Sequence, residues 1–194
     1  MHDEVEPNVR PLAASPRPHR GRSPIRVETQ DLALLDAIEG GPADTLALPV
    51  WRDERPLTGL AGLVDWRTCG ALSDQLRRGF FVGDAGEALL TCTPRMASAG
   101  RILVLGLGRR EVQGRADLRA VGERLFEVAA GIGARRVILG VPSARFDPSR
   151  PLALAEGVFE RVLAAHDAAA GARAAPIWWA VAEPALVPYL RALV

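Results

Sequence analysis

There is no lysine anywhere in this sequence; all 24 basic residues are arginine. That removes the side-chain ammonium as a catalytic acid, base or Schiff-base former. Cysteine is nearly absent as well. Cys69 and Cys92 are too few for a disulfide framework or a zinc site, and read as small buried apolar residues. The three histidines, His2, His19 and His166, are far apart and form neither H-x-x-x-H nor a His/carboxylate cluster. No metal site and no cofactor are therefore expected. No apolar run approaches the ~20 residues that span a bilayer, and the N-terminus lacks an apolar signal core. The expected compartment is the cytoplasm, with no membrane contact. Aromatic residues make up only 5% of the chain, so no base-stacking platform is apparent. The formal charge of +1 argues against commitment to nucleic acid.

What is present suffices for one domain. Hydrophobic residues are 48% of 194, enough for a full core. Residues 1–24 read as a disordered tail. Pro7, Pro11, Pro16, Pro18 and Pro24 remove backbone donors there, and Arg10, Arg17, Arg20 and Arg22 make its second half basic. Residues 25–194 form the domain.

Within it, Ile25–Thr29 reads as a strand, Asp31–Ile38 as a short helix and Thr45–Val50 as a second strand. Leu60–Arg78 reads as one long helix. Leu60, Val64, Leu72 and Leu76 share a face, Leu63 and Trp66 fill the same side, and Asp74 can pair with Arg78. Gly79 is placed to end it in the left-handed conformation. Glu87–Cys92 is a strand, closed by Pro94. Ile102–Leu105 is a continuous apolar run suited to a central strand. Leu118, Val121, Leu125, Val128 and Ile132 mark one buried helical face, ended by Gly131 and Gly133. Val137–Val141 is a further strand, stopped by Pro142. Pro151–Ala170 is a second Ala-rich helix, with Ala155, Val158, Phe159, Val162 and His166 on one side. Ile177–Val181 is the last strand and Pro184–Val194 a closing helix. This alternation calls for an α/β fold: a mixed, mostly parallel sheet with helices on both faces. The first half is less regular and is the source of any antiparallel or edge strand.

Few residues carry a chemical signature. Asp44, Asp53, Asp65 and Asp147 are scattered, Asp53-Glu54-Arg55 reads as a solvated loop, and Ser143 lies in no nucleophile elbow. Asp84 and Glu87 have no His, Cys or Lys beside them to complete an acid–base site. No catalytic residue is assigned. The turn Gly106-Leu107-Gly108-Arg109-Arg110 is the best pocket candidate. It follows a central strand, where ligands gather in open α/β sheets. Gly106 and Gly108 would let backbone N–H groups approach an anion, and Arg109 or Arg110 would add charge. It matches neither the dinucleotide nor the phosphate-loop pattern, so a structural turn is the competing reading. Trp178 and Trp179 are adjacent in a strand and must face opposite sides of the sheet. Helices on both faces would cover both; otherwise one indole marks a partner interface.

Three stretches carry a resemblance: Thr58–Arg67, the Gly-Phe-Phe-Val-Gly-Asp-Ala-Gly-Glu segment from Gly79, and Arg101–Arg110. In this order and spacing they resemble the N-terminal, macrodomain-like half of leucyl aminopeptidases. The resemblance runs from about residue 25 to 194 and implies a macrodomain-like fold. In that family the activity lies in a following domain whose two-metal centre uses Asp, Glu and Lys ligands and the signature N-T-D-A-E-G-R. That signature does not occur here, and none of the family's catalytic residues carries over.

The reading that follows is a non-catalytic binding or assembly module, a regulatory or accessory partner of a separate aminopeptidase or a homo-oligomer. The alternative is a macrodomain-type binder of an anionic, ADP-ribose-like small molecule. An aminopeptidase remnant with residual hydrolase activity ranks third.

Overall fold

The computed structural model describes residues 23–30, 43–92, 100–144, 147–169 and 176–194. Six strands form one sheet: β1 (Ile25–Thr29), β2 (Thr45–Val50), β3 (Ala88–Thr91), β4 (Arg101–Gly106), β5 (Arg136–Gly140) and β6 (Ile177–Ala182), in the order β1-β6-β5-β2-β4-β3. All pairings are parallel except β3 with β4. The antiparallel edge thus comes from the less regular first half of the domain.

Alternation along the strands makes two cores, one on each sheet face. Ala47, Leu103, Leu105, Val137, Leu139, Trp178 and Ala180 point to one face. Helices α3 (Arg115–Gly131), α4 (Ser149–Ala168) and α5 (Val187–Ala192) cover it with Leu118, Leu125, Val158, Val162 and Leu190. Leu46, Leu48, Val50, Ile102, Val104, Ile138 and Val181 point to the other. There α1 (Gly59–Arg67) contributes Leu60, Ala61 and Val64, and α2 (Ala71–Arg77) contributes Leu72.

The long helix expected over residues 60–78 is two helices. Cys69 (φ 56°) and Gly70 (φ 82°) turn the chain left-handed between them. Apolar spacing persisted across the break, but Asp65 decides the local geometry. Its Oδ1 accepts the Leu72 and Ser73 amides, each at 2.9 Å, and its Oδ2 accepts the Ser73 hydroxyl at 2.5 Å. It therefore satisfies the free donors at the start of α2 that a continuous helix would have bonded internally. Trp66 is outward, 69% exposed, instead of on the apolar side: two residues on from the buried Val64, it stands on the opposite face of α1. Gly79 (φ 74°) does close α2. The Phe80 amide donates to the Gln75 carbonyl and the Gly79 amide to Leu76. His166 is exposed rather than on the packed side of α4. Neither cysteine is buried as expected; both are exposed. The helix expected over Asp31–Ile38 and residues 1–22 of the tail lie outside the described residues.

Helices α3 and α4 cross at glycines. Gly122 faces the Leu154 carbonyl and Gly157 faces the Arg119 carbonyl, with no room for a side chain at either. Arg115–Glu156 (3.0 Å) and Arg119–Glu160 bridge the exposed rim of the same seam.

At the amino ends of the strands, Asp44 ties three of them together. It accepts the Arg135 and Arg136 amides, both at 3.0 Å, the Thr45 hydroxyl at 2.7 Å and Arg101 Nη2 at 3.2 Å. Burial pushes its carboxyl up, but the Thr45 hydroxyl, the two amides and the Arg101 guanidinium outweigh it and hold the group below its ordinary value of 3.8. The folded pKa is thus lower than the unfolded one. The stabilisation is complete above the unfolded value and is lost as pH falls through the folded one. Asp44→Asn is expected to cost about 1–3 kcal/mol at neutral pH, measured by urea unfolding. It should also flatten the loss of thermal stability below about pH 4; an unchanged acid profile would contradict the assignment.

Candidate functional site

Strands β5, β2 and β4 end side by side. The chain leaves β2 for α1 on one face, and leaves β4 and β5 for α3 and α4 on the other. Such a reversal opens a crevice at the carboxyl ends of the strands, the usual ligand position in open α/β sheets.

Here the crevice holds the chain's own side chains. Trp51, the first residue after β2, follows the strand alternation and turns into the core beneath α3 and α4, 3% exposed. The Arg110 guanidinium lies 5.5 Å from the centre of its ring. Glu54 Oε1 holds Arg110 Nη2 at 2.8 Å, and Asp53 Oδ1 accepts the Arg110 amide at 3.3 Å. Arg150 Nη1 donates to the Arg110 carbonyl at 2.6 Å, while its Nε pairs with Asp147 Oδ2 at 3.2 Å. The Ser149 hydroxyl and amide, followed by Arg150 and Arg115, hold the Asp147 carboxyl below the usual carboxylate range. Beside Trp51 remains a cleft of only about 30 Å³, lined by Arg110, Ser143, Asp147, Arg150 and Pro151. Small-molecule pockets are usually about 300–1,000 Å³, so the space is small, and both of its guanidinium groups already face carboxylates.

The glycine turn is used internally. The Gly106 amide donates to the Glu87 carbonyl (2.8 Å), Leu107 to Val50 (2.9 Å) and Gly108 to Gly83 (2.9 Å). In return the Gly86 amide donates to Gly106 and the Arg52 amide to Gly108, each at 2.9 Å. The Glu87 carboxylate accepts the amides of Val82 (3.0 Å), Gly83 (2.8 Å) and Asp84 (3.1 Å). Arg52 pairs with Asp84. The two glycine-rich stretches singled out in the sequence are therefore one interlocked double loop. Amides that an anion would need at Gly106 and Gly108 already have partners within the chain. Arg109 is exposed at the tip of the turn, and Arg110 is drawn back onto Trp51.

Trp178 and Trp179 do face opposite sides. Trp178 is core, 1% exposed and stacked near Phe126 with ring centres 6.1 Å apart. It offers nothing to a partner. Trp179 is half-buried, with the Arg26 guanidinium 5.7 Å from its ring centre. Sequence reasoning passed over Trp51 and Arg150, read Glu54 as part of a solvated loop, and set Asp53 and Asp147 apart as unrelated; Glu54 and Asp53 instead hold Arg110. The available signal was the position of Trp51, one residue beyond an alternating strand and on its inward phase.

Among the described residues, no group of three or more His, Cys, Asp and Glu could hold a metal ion. These residues therefore do not fit the two-metal set that the resemblance places in the catalytic half of that family. No described helix is long and apolar enough to cross a membrane.

Residues 47–166, well over half of the chain, match the model of the cytosol aminopeptidase family, N-terminal domain. The chain belongs to that family. A curated relative from Pseudomonas syringae pv. tomato, named "Probable cytosol aminopeptidase", is 28% identical over 89 residues, 46% of this chain and 18% of the relative. The chain thus spans less than a fifth of that relative's length. Among solved structures, a tomato leucine aminopeptidase variant superposes with a TM-score of 0.58 at 19% identity, over 87% of this chain and 34% of that one. A Trypanosoma brucei macrodomain in complex with ADP-ribose gives 0.58 at 14% identity, over 87% and 66%. At those identities the structures establish the fold: this member of the aminopeptidase family has a macrodomain-like sheet.

Proposed function

We propose that this cytosol aminopeptidase N-terminal domain is a non-catalytic binding or assembly module that docks on a protein partner. The two partners to test are the metal-binding half of an aminopeptidase and a second copy of the chain. One observation carries the reading. Trp66, at the end of α1, and Phe80, just beyond α2, are each 69% exposed. A large ring left in water has no role in the core of its own chain, and tryptophan is over-represented among the side chains that dominate protein interfaces. The filled crevice at the strand ends also favours a protein partner over a small molecule.

Native mass measurement and affinity capture with the metal-binding half of an aminopeptidase test this. A defined complex or homo-oligomer is expected, weakened about 30-fold or more by Trp66→Ala if that ring is an interface anchor. A monomer that captures nothing would overturn the reading.

A further inference from the structure

We propose that Trp51 is the resident occupant of the strand-end crevice, an internal plug that closes it to nucleotides. The inference concerns a different face from α1–α2 and stands or falls apart from the docking reading.

The fold puts a crevice where β2 ends between β4 and β5. In an open α/β sheet this is where a flat heterocycle or a phosphate would enter. In this chain the indole of Trp51 fills the inner part. The ring is carried there by the strand itself, because it follows Val50 on the inward phase of β2. The Arg110 guanidinium lies over its face, the position a cation would take above a bound aromatic ligand. Two carboxylates then hold the lid in place. Glu54 fixes Arg110 from the loop after β2, and Asp147 fixes Arg150, which in turn grips the Arg110 carbonyl. Arg110 and Arg150, the guanidinium groups described at the crevice, thus each have an internal counter-charge, and the Gly106, Leu107 and Gly108 amides are bonded to the carbonyls of Glu87, Val50 and Gly83. A nucleotide would have to expel the indole, break two ion pairs and leave Glu54 and Asp147 facing its phosphates. Each of these opposes binding.

Two experiments test the plug. First, the intact chain is titrated calorimetrically with ADP-ribose and with inorganic phosphate. No saturable heat at millimolar ligand is expected. Saturable binding of ADP-ribose that is lost in Arg110→Ala would overturn the proposal. Second, Trp51→Gly removes the occupant and should lower the thermal midpoint. Free indole, added as the probe, should restore several degrees of it by refilling the vacated space, with no such gain for the intact chain. Trp51→Ala, which also vacates the whole indole but keeps an ordinary backbone, gives the same reading if the glycine variant does not fold. A folded variant whose midpoint indole leaves unchanged would show that the space collapses as ordinary core, and would sink the plug.

Discussion

Replacing Gly106 by alanine is expected to destabilise the chain by about 3–5 kcal/mol, at the upper end for a single methyl group. A Cβ at this position would collide with the Asp84 carbonyl and come within 2.6 Å of the Gly83 carbonyl carbon. Both obstacles are backbone, so no side-chain rotation relieves them. The loop from Gly79 to Glu87 must move, and with it go the bonds Gly86 to Gly106, Gly106 to Glu87 and Gly108 to Gly83. Burying an unbonded amide or carbonyl costs about 1–3 kcal/mol, so loss of even one of them adds to the steric term. Urea unfolding monitored by circular dichroism measures the effect. Gly131→Ala is the control. Gly131 is the last residue of α3, and a Cβ there would meet nothing within 4 Å. The same substitution at that site should be neutral or stabilising by up to about 1 kcal/mol. If Gly106→Ala matches this control, the interlocked double loop is not what holds the end of β4.

Gly157→Ala should be the second large effect, for the opposite reason to the usual helix rule. On an open helix, glycine to alanine gains about 1 kcal/mol. Here the added methyl would strike the Arg119 carbonyl and lie 3.0 Å from its carbon, across the α3–α4 crossing. The helices would have to separate, loosening Leu125, Val158 and Val162 beneath them. Overpacking of this kind costs about 1–3 kcal/mol, sometimes more, and outweighs the propensity gain; a net loss of about 2 kcal/mol is expected. Gly122 meets the Leu154 carbonyl at the same seam. Once the helices have parted for one methyl, the second needs less room. Gly122→Ala with Gly157→Ala should therefore cost clearly less than the sum of the two single changes. Full additivity would mean that the two glycines do not share one crossing.

Much of the domain was legible from its letters. Leu118, Val121 and Leu125 on one side of α3, and the run from Ile102 to Leu105, reported burial directly, since apolar period and strand or helix geometry are the same fact read twice. Gly79 announced the end of α2 because few other residues accept left-handed φ. The break at Cys69 was not legible. Leu60, Val64, Leu72 and Leu76 keep a helical spacing across it, while the deciding interaction is a carboxylate at Asp65 reaching amides seven and eight residues on. The candidate site divided in the same way. Its glycines stood out, but their partners did not, because Gly83 and Gly108, or Glu54 and Arg110, meet only when two loops fold against each other.

The sequence alone determined the class of the fold, the parallel direction of its later strands and the family to which it belongs. All of these depend on local period and on motifs that neighbouring residues form together. Only the tertiary structure decided that the glycine turn bonds to a second glycine loop and that an indole fills the crevice at the strand ends. It also decided that Trp66 is left in water while Trp178 is sealed in the core. Those outcomes depend on which distant segments come to share a space, and that is set by how strands and helices stack.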